Sequence, residues 1–145
     1  MMFSKSCEYA IKAAIHLCMT TKEGKRQSIS EIAKAIDTPE AFTGKILQSL
    51  VRHKVISSAK GPGGGFYIKQ DADSITIMDI VEIIDGNGAL ERCGLGLKEC
   101  DENHPCPIHS EFKSYVLRLK KLLETKTIQH FAKEIKEGNA FLVNA

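Results

Sequence analysis

Three cysteines and a histidine share one short stretch: Cys93, Cys100, Cys106 and, three residues later, His109. Thiolates gathered on a glycine-rich segment are soft donors, suited to a soft metal or an iron–sulfur cluster. Four chemistries are open to them. A cluster on the three thiols can report redox state, nitric oxide or iron–sulfur supply. The same Cys3His set has the donors of a structural zinc site, but the gaps are six and five residues and no Cys-x-x-Cys knuckle is present. Free thiols can form a regulatory disulfide, with Lys98 lowering a thiol pKa and Glu99, Asp101 and Glu102 opposing it. A catalytic Cys106–His109 pair is the weakest reading, because no third orienting group and no oxyanion site are evident. The expectation is a protein that is not an enzyme.

The rest of the chain must position these donors. Its 145 residues, 43% of them hydrophobic, suit one domain with an appended element. No run of about 18 apolar residues occurs, so no membrane span is expected. Met1 to Ala10 lacks the apolar core of a signal peptide, which points to the cytoplasm. Five cysteines, an odd number, fit reduced thiols or a metal site better than a disulfide framework. The net charge of +2 hides an asymmetry: residues 1–70 hold 11 Lys/Arg against 5 Asp/Glu, and residues 71–145 hold 9 against 13. A basic front half is what a polyanion-binding surface needs.

Helical spacing puts Cys7, Ile11, Ala14 and Cys18 on one face of a helix over residues 4–20, which makes Cys7 and Cys18 core residues. Ser28 or Ser30 can cap a short second helix, and Glu31 lies three residues after Ser28, a capping-box spacing. After a turn at Asp37, Thr38 reads as an N-cap and Pro39 as the first residue of a third helix running to about His53. Phe42, Ile46, Leu47, Leu50 and Val51 are expected inside it, and Thr43, Lys45, Gln48, Ser49 and Arg52 outside. Two short helices, the second polar and basic outside, make a helix-turn-helix pattern. Residues 55–59 and 66–68 read as paired strands around Lys60-Gly61-Pro62-Gly63-Gly64-Gly65. A bare glycine backbone with Lys60 at its base can approach phosphates or enter a minor groove, as a wing does. A helix over residues 76–84 precedes the cysteine segment. A long helix begins beyond Pro107, with Ile108, Phe112, Tyr115, Val116, Leu119, Leu122 and Leu123 forming a narrow seam suited to a partner subunit. A short helix over residues 127–136 closes the chain.

Ser57 to Phe66, reading Ser-Ser-Ala-Lys-Gly-Pro-Gly-Gly-Gly-Phe, resembles the wing signature of the bacterial IscR/NsrR-type winged-helix regulators. The three cysteines ahead of a long helix are similar to those of the iron–sulfur-binding branch. The resemblance runs from about Met2 to Ile135. It implies a mainly α winged helix-turn-helix fold, a homodimer held by the long helix, and binding to double-stranded operator DNA, most often as a repressor. It also implies a [2Fe-2S] cluster, or a [4Fe-4S] cluster in some preparations, on Cys93, Cys100 and Cys106. His109 matches the histidine ligand of the IscR-like branch. Glu8 matches an acidic ligand that the NsrR-like branch takes from the other subunit. The DNA-contacting set becomes Ser28, Thr38, Thr43, Lys45, Gln48, Arg52, Lys60, Gly61, Gly63 and Gly64. Lys60 stands where familiar members often have arginine, whose planar fork lysine cannot copy. The turn Asp37-Thr38-Pro39-Glu40-Ala41 is longer than in the IscR-like branch. The expected organisation is a DNA-binding domain over 1–84, a sensor loop over 85–107, and a dimerisation helix with a C-terminal short helix over 108–145.

Overall fold

Six helices and one hairpin make up the computed structural model, which describes residues 3–69 and 74–144. The helices are α1 (Lys5–Lys22), α2 (Ile29–Ala35), α3 (Glu40–Arg52), α4 (Ile77–Asp85), α5 (His109–Thr125) and α6 (Ile128–Lys136). Strands β1 (Ser57–Ala59) and β2 (Gly65–Tyr67) lie between α3 and α4. The fold is mainly α, as the sequence leads one to expect.

Local chemistry sets the helix starts. The Ser4 hydroxyl accepts the Cys7 N–H at 3.0 Å. Ser28 and Glu31 form a reciprocal capping box, as do Thr76 and Asp79. Thr127 accepts the His130 N–H at the start of α6. Each such cap satisfies N–H groups that the first turn leaves without helical partners, an effect typically worth about 1 kcal/mol.

Helix α3 corrects two expectations. It starts one residue late, with Pro39 as an N-cap that makes no side-chain cap bond. The Thr38 hydroxyl is occupied elsewhere, 2.7 Å from that of Thr43. Thr43, expected outside, is 1% exposed, and Phe42, expected inside, is 57% exposed. The buried stripe runs Thr43, Ile46, Leu47, Leu50, an unbroken three- and four-residue rhythm that leaves Phe42 off the face. A hydroxyl can occupy that stripe because it donates to the Pro39 carbonyl at 2.8 Å.

Helix α1 is the axis of the core. Cys7, Ala10, Ala14, Leu17 and Cys18 are buried along it. Ile32 and Ile36 close over it from the α2 side, Leu47 and Leu50 from α3, Ile80 and Val81 from α4. Helix α6 folds back onto α1, burying Ile128 and Ala132 in the same core. Full burial of each large aliphatic side chain contributes roughly 1.5–3 kcal/mol. The Cys7 thiol is pushed up to about 12, first by burial and then by the nearby Asp85 carboxylate, so it stays a neutral apolar filler.

The hairpin pairs Ser57 with Tyr67 and Ala59 with Gly65. Gln27, in the loop before α2, extends it. Its N–H donates to the Phe66 carbonyl at 3.1 Å, and the Phe66 N–H donates back at 2.7 Å. This bridge fastens the hairpin to the α1–α2 loop.

Helix α5 is only partly covered. Phe112, Val116 and Leu119 are half-buried and Leu123 is buried, whereas Ile108, Tyr115, Leu117 and Leu122 are exposed. The expected apolar seam is therefore split, with part of it packed within the chain and the rest open.

Candidate nucleic-acid interface and metal centre

Lys45, Gln48 and Arg52 lie exposed on one side of α3, backed by the buried stripe that fixes the helix against α1. Phe42 flanks them in the first turn. Ser28 and Thr38 have their hydroxyls engaged, Ser28 in its capping box and Thr38 with Thr43. Burial removes Thr43 from any direct contact with DNA.

Lys60 is exposed at the base of the hairpin tip. Gly61 and Gly63 hold positive φ angles of 86° and 73° and have no heavy atom within 4 Å of a would-be Cβ. Gly64 differs: a Cβ there would stand 2.4 Å from the Ala59 carbonyl oxygen. Glycine at 64 is thus required by the turn itself, while Gly61 and Gly63 present open backbone. A basic residue that sequence reasoning missed joins this region. The Arg26 guanidinium stacks 4.6 Å from the centre of the Tyr67 ring, so it stands beside the wing. The non-local Gln27–Phe66 bridge, together with the Ile68 N–H donated to the Thr21 hydroxyl at 2.9 Å, brings it there.

The cysteine segment leaves α4 at Asp85. That carboxylate accepts the Ser4 N–H at 2.9 Å and bonds the Ser4 hydroxyl, tying the end of α4 to the start of α1. The segment then lies along α5, with Gly94 against the Phe112 ring, where a Cβ would approach to 3.0 Å. The Glu102–Lys113 ion pair pins its later part to the same helix. Asp101 organises a tight turn, accepting the Asn103 N–H at 2.8 Å and facing His104 Nδ1 at 3.1 Å. The Asn103 N–H first and His104 second hold the Asp101 carboxyl below its ordinary range.

The donors come together as two pairs. Cys100 Sγ lies 3.4 Å from Nδ1 of His109. His109 is the first residue of α5 and 8% exposed. Its backbone N–H donates to the Cys106 carbonyl at 3.0 Å, so the third cysteine leads directly into the helix. The Cys93 thiol is held below its ordinary range by the backbone N–H groups of Leu95 and Leu97, and further by a side-chain bond with Cys106. For Cys93 the lowering comes from backbone N–H groups and not from the Lys98 charge. Among the described residues no three His, Cys, Asp or Glu side chains converge on a single point. Three thiols and an imidazole are donors that an iron–sulfur cluster takes, so this set fits such a group in kind. Glu8 lies apart from the pairs, on the first turn of α1, with its carboxylate 3.2 Å from the Lys5 ammonium. A cavity of about 650 Å³ opens between α4, the cysteine segment and α5, with Cys100 and His109 in its wall.

A two-helix unit with a basic outer face, followed by a glycine-tipped hairpin, defines a winged helix-turn-helix protein. Residues 3–134 match the model of the Rrf2 family, described as iron-dependent transcriptional regulators. The chain belongs to this family. It is 30% identical to an HTH-type transcriptional regulator of Aquifex aeolicus, with 99% of each chain covered. Its fold is similar to that of CymR, the global cysteine regulator of B. subtilis (TM-score 0.74, 20% identity, 90% of this chain and 95% of that one). It is also similar to T. potens IscR (TM-score 0.71, 18% identity, 94% and 90% covered). The protein is thus a DNA-binding transcriptional regulator, from a family of regulators rather than enzymes. Among the described residues no helix is long and apolar enough to cross a membrane.

Proposed function

We propose that the chain is a cytoplasmic, homodimeric repressor that reads double-stranded operator DNA and senses redox state, nitric oxide or iron–sulfur status. Residues 1–84 form its DNA-binding domain, 85–107 its sensor loop, and 108–145 its dimerisation element. Cys93, Cys100, Cys106 and His109 hold an iron–sulfur cluster, [2Fe-2S] rather than [4Fe-4S]. Glu8 of a partner subunit is the alternative fourth ligand. The observation that supports this reading best is the Cys100–His109 contact at the first residue of α5. His109 is already turned inward beside a thiol, whereas Glu8 is paired with Lys5.

When bound, the cluster supplies a centre whose charge and integrity respond to oxidants, nitric oxide and iron supply. The chain's own residues convert that into geometry. Cys93, Cys100, Cys106 and His109 would hold the cluster, which would tie the loop to the start of α5. The exposed Ile108 at the N-cap of α5, with Tyr115 and Leu122 on the helix, suits contact with a second copy. Freeing the loop alters how α5 sits and so changes the spacing of the two α3 helices. Two-fold DNA binding amplifies such a change, because half-site separation is set by the dimer. Glu8→Ala and His109→Ala discriminate the fourth ligand: His109→Ala should lose iron on anaerobic purification and Glu8→Ala should keep it. The reverse pattern would transfer the role to Glu8.

On the DNA side, Lys60 at the wing contacts phosphate. Lys60→Ala should weaken binding to all sequences and lower the slope of log affinity against log salt by about one unit. An unchanged slope removes Lys60 from the contact.

A second reading is favoured by one observation: the side chains of Cys93 and Cys106 share a hydrogen bond while both are free thiols. In it, the same cysteines act as a thiol/disulfide switch. Both readings make the loop cysteines accessible and the α1 cysteines inert. In metal-free protein, iodoacetamide at neutral pH should modify Cys93, Cys100 and Cys106. It should spare Cys7 and Cys18 until denaturant is added. Peptide mass spectrometry showing label on Cys7 in the native state would contradict this packing. Stoichiometric zinc in a colourless protein would mark the structural-zinc alternative instead.

A further inference from the structure

Phe42 is a phenylalanine 57% exposed to solvent in the first turn of α3. A single exposed apolar side chain needs no explanation on an ordinary surface. This one occupies the part of a recognition helix whose residues reach base edges in the major groove. Along the same open side follow Lys45, Gln48 and Arg52, all exposed. The opposite, buried side is completed by Thr43, Ile46, Leu47 and Leu50, so no rotation of α3 can bring Phe42 inward without expelling the core. Among the described residues Phe42 is not one of those packed against the core.

Lys45, Gln48 and Arg52 can donate hydrogen bonds to purine edges or to phosphate. Phe42 can do neither. In the major groove one base offers an apolar group, the 5-methyl of thymine, and phenylalanine is among the side chains that contact it. We propose that Phe42 is a specificity-determining residue that reads the 5-methyl group of a thymine in each half-site. The proposal rests on the DNA-binding role of α3 and adds one base preference to it. A ring at this position disfavours cytosine, which carries only hydrogen at the carbon where thymine bears its methyl group.

The test uses the full chain and its own operator, obtained by selection from random double-stranded DNA. Each thymine of the selected site is then replaced singly by deoxyuridine, which deletes the methyl group and leaves base pairing unchanged. For the native chain, one replacement per half-site should weaken binding about fourfold, the worth of one buried methyl group. Phe42→Ala should bind thymine and uracil at that position equally, with its salt slope unchanged. Phe42→Leu, which retains apolar bulk, should preserve part of the discrimination. Indifference of the native chain to every uracil replacement overturns the proposal. So does a Phe42→Ala variant that keeps the full uracil effect. A chain that enriches no sequence at all overturns the DNA-reading role of α3 together with it, whereas enrichment with uracil indifference overturns the Phe42 assignment alone.

Discussion

Gly65→Val should lower the stability of the native chain by roughly 2–4 kcal/mol and weaken operator binding at least tenfold. Two causes act together. The φ of Gly65 is +137°, a conformation that a β-branched residue adopts only under strain. A Cβ there would also stand 2.7 Å from the Gln27 carbonyl oxygen and 2.9 Å from its carbon. Those are backbone atoms, so no rotamer change relieves the contact. The Gln27–Phe66 bridge must open, which costs two backbone hydrogen bonds and releases the hairpin from the α1–α2 loop. The wing then loses its fixed direction, and Lys60 and Arg26 lose their common placement. Urea unfolding followed by circular dichroism measures the first effect and a binding titration the second. With a slope of about 1–3 kcal/mol per molar urea, the midpoint should fall by about 1 M or more. An unmoved midpoint would show that the bridge does not anchor the wing.

Leu50→Ala should cost about 3 kcal/mol, within the range for leucine truncation at a fully buried site. Leu50 has no exposure and lies in the core cluster that α3 shares with α1. Its loss leaves a void between two helices that must stay rigid for α3 to present Lys45, Gln48 and Arg52. Phe42→Ala, eight residues earlier and exposed to solvent, should leave the unfolding midpoint almost unchanged. This contrast isolates the face assignment of α3. Equal destabilisation by both variants would contradict the burial pattern.

Much of this architecture could be read from local residue chemistry. The capping box of Ser28 and Glu31 and the caps at Thr76 and Thr127 depend on side chains three residues apart, so the helix starts were open to inspection. Cys7 and Cys18 were recognisable as core residues because helical periodicity places them with Ala14. The hairpin followed from its glycine-rich tip. What escaped depended on contacts between distant parts of the chain or on competition between residue types. Thr43 is polar and Phe42 apolar, so hydropathy assigned them to the wrong faces. A bond from Thr43 to the Pro39 carbonyl settles the helix the other way. The Arg26–Tyr67 stack depends on a strand bridge between residues 27 and 66, which no local pattern encodes. The donor set at the cysteines was evident from residue type. Its division into Cys93 with Cys106 and Cys100 with His109 depends on how the segment lies along α5, and the lowering of the Cys93 thiol arises from backbone N–H groups that carry no sequence signature. The return of α6 onto α1 likewise follows from Ile128 and Ala132 filling a core built mainly by the first half of the chain.

The central claim is that thiols from the loop, with an imidazole from α5, hold an iron–sulfur cluster. Its most direct test is iron and acid-labile sulfide analysis of anaerobically purified protein, with visible absorbance, beside Cys106→Ala. The account predicts a brown protein with about two irons and two sulfides per chain, both lost in the variant. Native protein purified without oxygen that contains neither iron nor sulfide, or a variant that retains both, would contradict it.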